Sequence, residues 1–125
     1  MMVESLFVVR ASHLNHEGHL FGGELMAAMD EIGYCAARTI WPRGRFVTRA
    51  AEIQFVSPAR LGDMVRFHAS VTGTGRTSMR VAVTGCVDAR IVGTAVMTYV
   101  NLDARGCKQA LPRRVAAMAR KGVEL

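Results

Sequence analysis

Apolar residues along the chain recur with two different periods, and the change from one to the other marks out the elements. Ser5 to Arg10 is short, β-branched and aromatic, and reads as a strand. Residues 11–22, rich in His, Asn and Gly, read as a loop. Gly23 to Ile40 is dominated by good helix formers and is stopped by Trp41-Pro42, because proline disfavours helix in the residue before it. Four strand-like segments follow: Phe46–Val56, closed by Ser57-Pro58, then Met64–Thr72, Ser78–Val87 and Ile91–Leu102. In the second, Val65, Phe67, Ala69 and Val71 alternate with Arg66, His68, Ser70 and Thr72, which predicts one dry face and one wet face. In the third, Met79, Val81 and Val83 alternate in the same way with Arg80, Ala82 and Thr84. The last is apolar on both faces and is expected in the sheet interior. One strand, one long helix and a run of strands predict an α+β domain with the helix on one face of an antiparallel sheet.

The helix carries the informative polar residues. Glu24, Glu31 and Arg38 are spaced by seven and form a narrow stripe, while most other positions are apolar or small. Such a helix is expected to be covered on most sides, which in so short a chain only a sheet curling around it could do. Asp30 lies about 100° around from the stripe, on the side of Met26, Ala27, Tyr34 and Ala37. A carboxylate buried there is costly unless it is paired or used. Cys35 reads as a small buried hydrophobe.

With 125 residues and a 50% hydrophobic composition, the chain is expected to be a single domain that needs neither disulfides nor metal to fold. No apolar run approaches the ~20 residues that span a bilayer, and no export signal is evident at Met1 to Arg10. Cys35, Cys86 and Cys107 form no C-x-x-C pair, so a reducing cytoplasm is expected. Lys and Arg number 16 against 10 Asp and Glu, and the excess lies in a tail: Arg105, Lys108, Arg113, Arg114, Arg120 and Lys121 occur in a stretch without an acid. A basic tail, residues 113–125, could be merely solvated, or could meet nucleic acid, an acidic membrane or a phosphorylated small molecule. The aromatics are not interleaved with these charges, which argues against a nucleic-acid platform.

Serine-hydrolase, phosphate-loop and dinucleotide-binding motifs are all missing from the sequence. His13, His16 and His19, with Glu17, are candidate metal ligands, but their spacing suits no closed structural site, and no metal is expected. The junction from Asn15 to Asp30 is more specific. Gly22 and Gly23 can adopt backbone conformations closed to other residues and allow a ligand close approach where the first free N–H groups of the helix point outward. That is an anion or oxyanion site in waiting, with Asp30 roughly 10 Å further along the helix axis.

The pattern Asn15-x-x-Gly18-x-x-Phe21-Gly22-Gly23-x-Leu25-Met26-x-x-Met29-Asp30 resembles the active-site segment of hotdog-fold acyl-CoA thioesterases. Three later segments are similar to that family in the same order: Ile53-x-Phe55-x-x-Pro58-x-x-x-Gly62-Asp63, Gly75-Arg76-Thr77-Ser78-x-x-Val81, and Tyr99-Val-Asn-Leu-Asp103 followed by Leu111-Pro112. The resemblance implies a long central helix wrapped by a curved antiparallel sheet of five to six strands. It implies dimers whose sheets join edge to edge, a trimer of dimers, and hydrolysis of acyl-CoA to free acid and CoA without a cofactor.

By the same resemblance, Asp30 acts as general base or nucleophile, and Asn15 of the opposite subunit holds the thioester carbonyl or the attacking water. The Gly22 and Gly23 amides supply the oxyanion contact, and the Gly75-Arg76-Thr77-Ser78 turn lies along CoA. Arg76, Arg113 and Arg114 are then candidates for the CoA phosphates. Two other readings stay open: an acyl-CoA-binding sensor, and a hydroxyacyl dehydratase in which His13 or His16 would join Asp30. The chemistry of the residues agrees with hydrolysis, because an activated thioester needs only a placed base and oxyanion donors.

Overall fold

The computed structural model describes residues 2–124, with side chains described through residue 118, so Arg120 and Lys121 of the basic tail lie outside the described side chains. Five strands form one antiparallel sheet in the order β1-β3-β4-β5-β2: β1 (Met2–Val8), β2 (Phe46–Phe55), β3 (Met64–Thr74), β4 (Ser78–Val87) and β5 (Arg90–Asn101). The helix α1 (Gly22–Ile40) lies against the sheet, packing on every strand, and α2 (Arg113–Glu124) follows β5. This is the hotdog arrangement of one long helix and a curved sheet.

The alternation in the sequence determines which face is buried. Val65, Phe67, Ala69 and Val71 of β3 and Met79, Val81 and Val83 of β4 are all buried, together with Met29, Ile32, Ala36 and Ile40 of α1. Phe67, 1% exposed, packs edge-on to Phe7 at 6.5 Å between ring centroids. Phe67→Ala should therefore destabilise the fold by about 3–5 kcal/mol in chemical denaturation. A loss below about 1 kcal/mol would contradict its central position in the core.

One expectation is corrected. Cys35 is exposed, because α1 is covered by the sheet on one side only, and Gly23, Met26, Ala27, Glu31 and Cys35 line its open side. β5 lies inside the sheet between β4 and β2, as expected, with Val96 exposed on its outer face. The basic tail is helical from Arg113. It forms α2, with Val115 fully buried and Arg114 placed over the Trp41 ring at 5.1 Å. Among the described residues, no helix is long and apolar enough to cross a membrane.

Candidate active site

β2 is an edge strand, and its register gives the site its shape. Thr48 faces Tyr99 across to β5, but the next pair is Ala50 with Thr98, so Arg49 is an extra, bulged residue. Side chains alternate along a strand, and a one-residue bulge resets which face they point to. The bulge thus lets Thr48 share a face with Ala51 and Ile53. These three line a groove of about 310 Å³ with Met26, Asp30 and Met97.

In that groove the Thr48 hydroxyl donates to Asp30 Oδ1 at 2.6 Å. The Tyr99 hydroxyl lies 3.1 Å from the same oxygen and 2.8 Å from the Asp30 main-chain carbonyl, so its one proton serves both acceptors. Tyr99 is 0% exposed. Its burial first, and next the neighbouring Asp30 charge, push the phenol well above the ordinary tyrosine range, so it remains a proton donor at any working pH. Among the described residues no cation pairs with Asp30, which sets aside a salt-bridged structural role. A carboxylate held by hydroxyls rather than neutralised by a cation keeps its charge available for chemistry.

Asn15 lines a different groove, of about 330 Å³, with His19, Gly22, Leu25, Phe55 and Val92. Its Oδ1 accepts the Glu17 N–H at 2.9 Å and the His19 N–H at 3.1 Å, an Asx turn that shapes the loop. The oxygen is spent on the loop, which leaves the Nδ2 amide as the donor to a ligand. Asn15 and Asp30 thus line different grooves of the chain.

Gly22 and Gly23 open α1 and lie between the two grooves, Gly22 on the Asn15 side and Gly23 on the Asp30 side. The first intrahelical bonds, from the Glu24 and Leu25 N–H groups, both close on the Phe21 carbonyl. The Gly22 and Gly23 N–H groups precede them and have no acceptor among the described residues. Neither glycine has a positive φ, which corrects the expectation of an unusual backbone. What a side chain there would meet is aromatic: a Cβ on Gly22 would lie 3.2 Å from the Phe55 ring, and one on Gly23 2.6 Å from the Phe21 ring, both rings being exposed.

The Gly75–Ser78 turn joins β3 to β4, closed by the Gly75 N–H on the Ser78 carbonyl at 2.9 Å. The Leu111 N–H donates to the Arg76 carbonyl at 2.8 Å, and the Asn101 N–H to the Thr77 carbonyl at 2.8 Å. Arg76 and the segment leading into Arg113 and Arg114 therefore meet at one corner. The histidines do not converge. His13 stacks on Phe7 with its Nδ1 accepting the Arg10 N–H, and His16 faces solvent beside Glu17. Among the described residues no group of three His, Cys, Asp or Glu side chains is placed to hold a metal ion.

Thr48 and Tyr99 escaped the sequence reading. Tyr99 stands in a quoted segment, but its partner Asp30 is 69 residues away. Thr48 is disguised by the bulge, which no local pattern announces.

A profile of the Thioesterase superfamily matches residues 17–94, more than half of the chain. The acyl-CoA thioester hydrolase YciA of Escherichia coli is 33% identical over 108 residues, covering 78% of this chain and 81% of the relative. Mouse acyl-coenzyme A thioesterase 11 is 33% identical over 119 residues, 88% of this chain, which spans only 20% of that longer protein. Among solved structures, an acyl-CoA hydrolase from Staphylococcus aureus, in complex with butyryl coenzyme A and coenzyme A, superposes with a TM-score of 0.79 at 27% identity, over 98% of this chain and 82% of that one. A hexameric hotdog fold thioesterase of Campylobacter jejuni gives a TM-score of 0.81 at 26% identity, over 93% and 94%. With the helix, sheet and Asn15–Asp30 segment in place, this chain belongs to the Thioesterase superfamily, in its hotdog-fold acyl-CoA hydrolase branch.

Proposed function

We propose that this protein hydrolyses acyl-CoA to a free carboxylic acid and CoA, as a homo-oligomer whose active sites lie between paired subunits. The observation that carries the reading is the Asp30 carboxylate, unpaired by any described cation and held by two hydroxyls in an apolar groove beside an edge strand. Asp30 acts on the thioester as base toward water or as nucleophile. The Asn15 amide of the neighbouring subunit, with the Gly22 and Gly23 N–H groups, stabilises the oxyanion, and the CoA thiolate departs. No cofactor enters this scheme, since the thioester is already activated.

Two features support the dimer. Among the described residues β2 pairs only with β5 and leaves its other edge free, with Val47 and Phe55 exposed. The open side of α1 is small and apolar at Gly23, Met26 and Ala27. An unpaired edge next to an uncovered helix face suits a second copy of the chain. The hexameric hotdog thioesterase similar to this chain supports a trimer of dimers. At the corner joining Arg76 to Arg113 and Arg114, the Gly75–Ser78 turn receives the pantetheine and phosphates of CoA. The three free cysteines fit a cytoplasmic protein.

The test is incubation with acyl-CoAs of graded chain length and a free-thiol reagent. Thiol release is expected. Saturable binding without release would make the chain a sensor, and a change of acyl mass without release a dehydratase.

A further inference from the structure

We propose that Tyr99, admitted by Gly33, is a positioning residue that fixes the Asp30 carboxylate so that Oδ2 alone faces the substrate; this rests on the reading of Asp30 given above. Thr48 and Tyr99 are cross-strand partners on β2 and β5, and both place a hydroxyl on Oδ1, at 2.6 and 3.1 Å. Oδ2 has no partner among the described residues. A carboxylate gripped on one oxygen from two adjacent strands cannot rotate freely about its Cβ–Cγ bond, and its other oxygen is left toward the groove.

Tyr99 reaches Asp30 only because residue 33, one turn along α1, is glycine. A Cβ there would overlap the Tyr99 hydroxyl oxygen, while the nearest ring carbons, at 3.1 and 3.3 Å, would be crowded without being overlapped. Gly33 has ordinary helical geometry and is buried, so what its missing Cβ leaves is room for one oxygen atom. The phenol has no role in covering the core that phenylalanine could not fill. Its hydroxyl is committed to Asp30 twice, through the side chain and through the main-chain carbonyl at 2.8 Å.

The test compares Tyr99→Phe, Gly33→Ala, the double variant and Asp30→Asn for kcat, KM and Tm on one acyl-CoA. Tyr99→Phe should lower kcat by about ten- to a hundredfold, the worth of one hydrogen bond to a charged group, and leave KM within about twofold. Gly33→Ala should lower kcat comparably by displacing the hydroxyl. In the Tyr99→Phe background it should add little, because the oxygen it collides with is gone. If Asp30→Asn is inactive while Tyr99→Phe turns over at the wild-type rate, the positioning role falls and the role of Asp30 stands. If Asp30→Asn is fully active, the underlying reading of the site falls instead. Losses in the two single variants that add fully in the double, with KM and Tm moving together, would reduce Tyr99 and Gly33 to packing residues and overturn the inference.

Discussion

Asp30→Asn should leave Tm and the KM for acyl-CoA nearly unchanged and lower kcat by at least about 10²-fold, the usual worth of a placed general base. The substitution is isosteric. The amide oxygen can still accept from the Thr48 and Tyr99 hydroxyls, as Oδ1 does at 2.6 and 3.1 Å, so the packing of α1 on β2 and β5 is preserved. What disappears is the charge and basicity of the second oxygen. A thioester offers its carbonyl to attack without metal or serine assistance, so removing the one unpaired carboxylate of the groove removes the group proposed to start the reaction. Thiol release under saturating acyl-CoA measures kcat, and thermal unfolding checks the fold. Wild-type turnover by the purified variant would remove Asp30 from the mechanism.

Two inactive variants should restore activity when mixed. Asn15→Asp keeps an oxygen for the Glu17 and His19 N–H groups, at 2.9 and 3.1 Å in the native loop, but replaces the Nδ2 donor with an anion that repels a developing oxyanion. Alone it should be as slow as Asp30→Asn. Asn15 and Asp30 line separate grooves in one chain, so each site must draw one residue from each subunit if the two act together. In an isologous pair of one Asp30→Asn and one Asn15→Asp subunit, one of the two sites regains both native residues. Co-refolding equal amounts should therefore return about a quarter of wild-type turnover, since about half of the dimers are mixed and half of their sites are intact. A mixture no more active than its components would mean that Asn15 and Asp30 do not share a site across subunits.

The residues of the site differ in how far the sequence exposed them. Asn15 and the glycines lie within one short segment whose spacing carries the resemblance, and Asp30 was conspicuous as a lone acid on an otherwise apolar helix side. Thr48 and Tyr99 had no such mark. One is a threonine in an exposed strand and the other an aromatic in an interior one, and they meet Asp30 from 18 and 69 residues away. The conformational argument for Gly22 and Gly23 failed for a related reason. Sequence shows that a side chain is missing but not which ring occupies its place, and here Phe55 and Phe21 do.

The sequence by itself determined the elements and their faces. Alternation along β3 and β4 and the helical period of α1 are local properties, and burying one consistent set of apolar side chains leaves little choice about which face turns inward. It also singled out Asp30, the carboxylate on which the proposed chemistry rests. Only the tertiary structure decided the order β1-β3-β4-β5-β2, which makes β2 an edge, the bulge at Arg49, and the folding of the basic tail into α2 around Val115. Those features depend on contacts between residues distant in the chain, where register, ring placement and hydroxyl partners are set by how the layers pack and not by any local period.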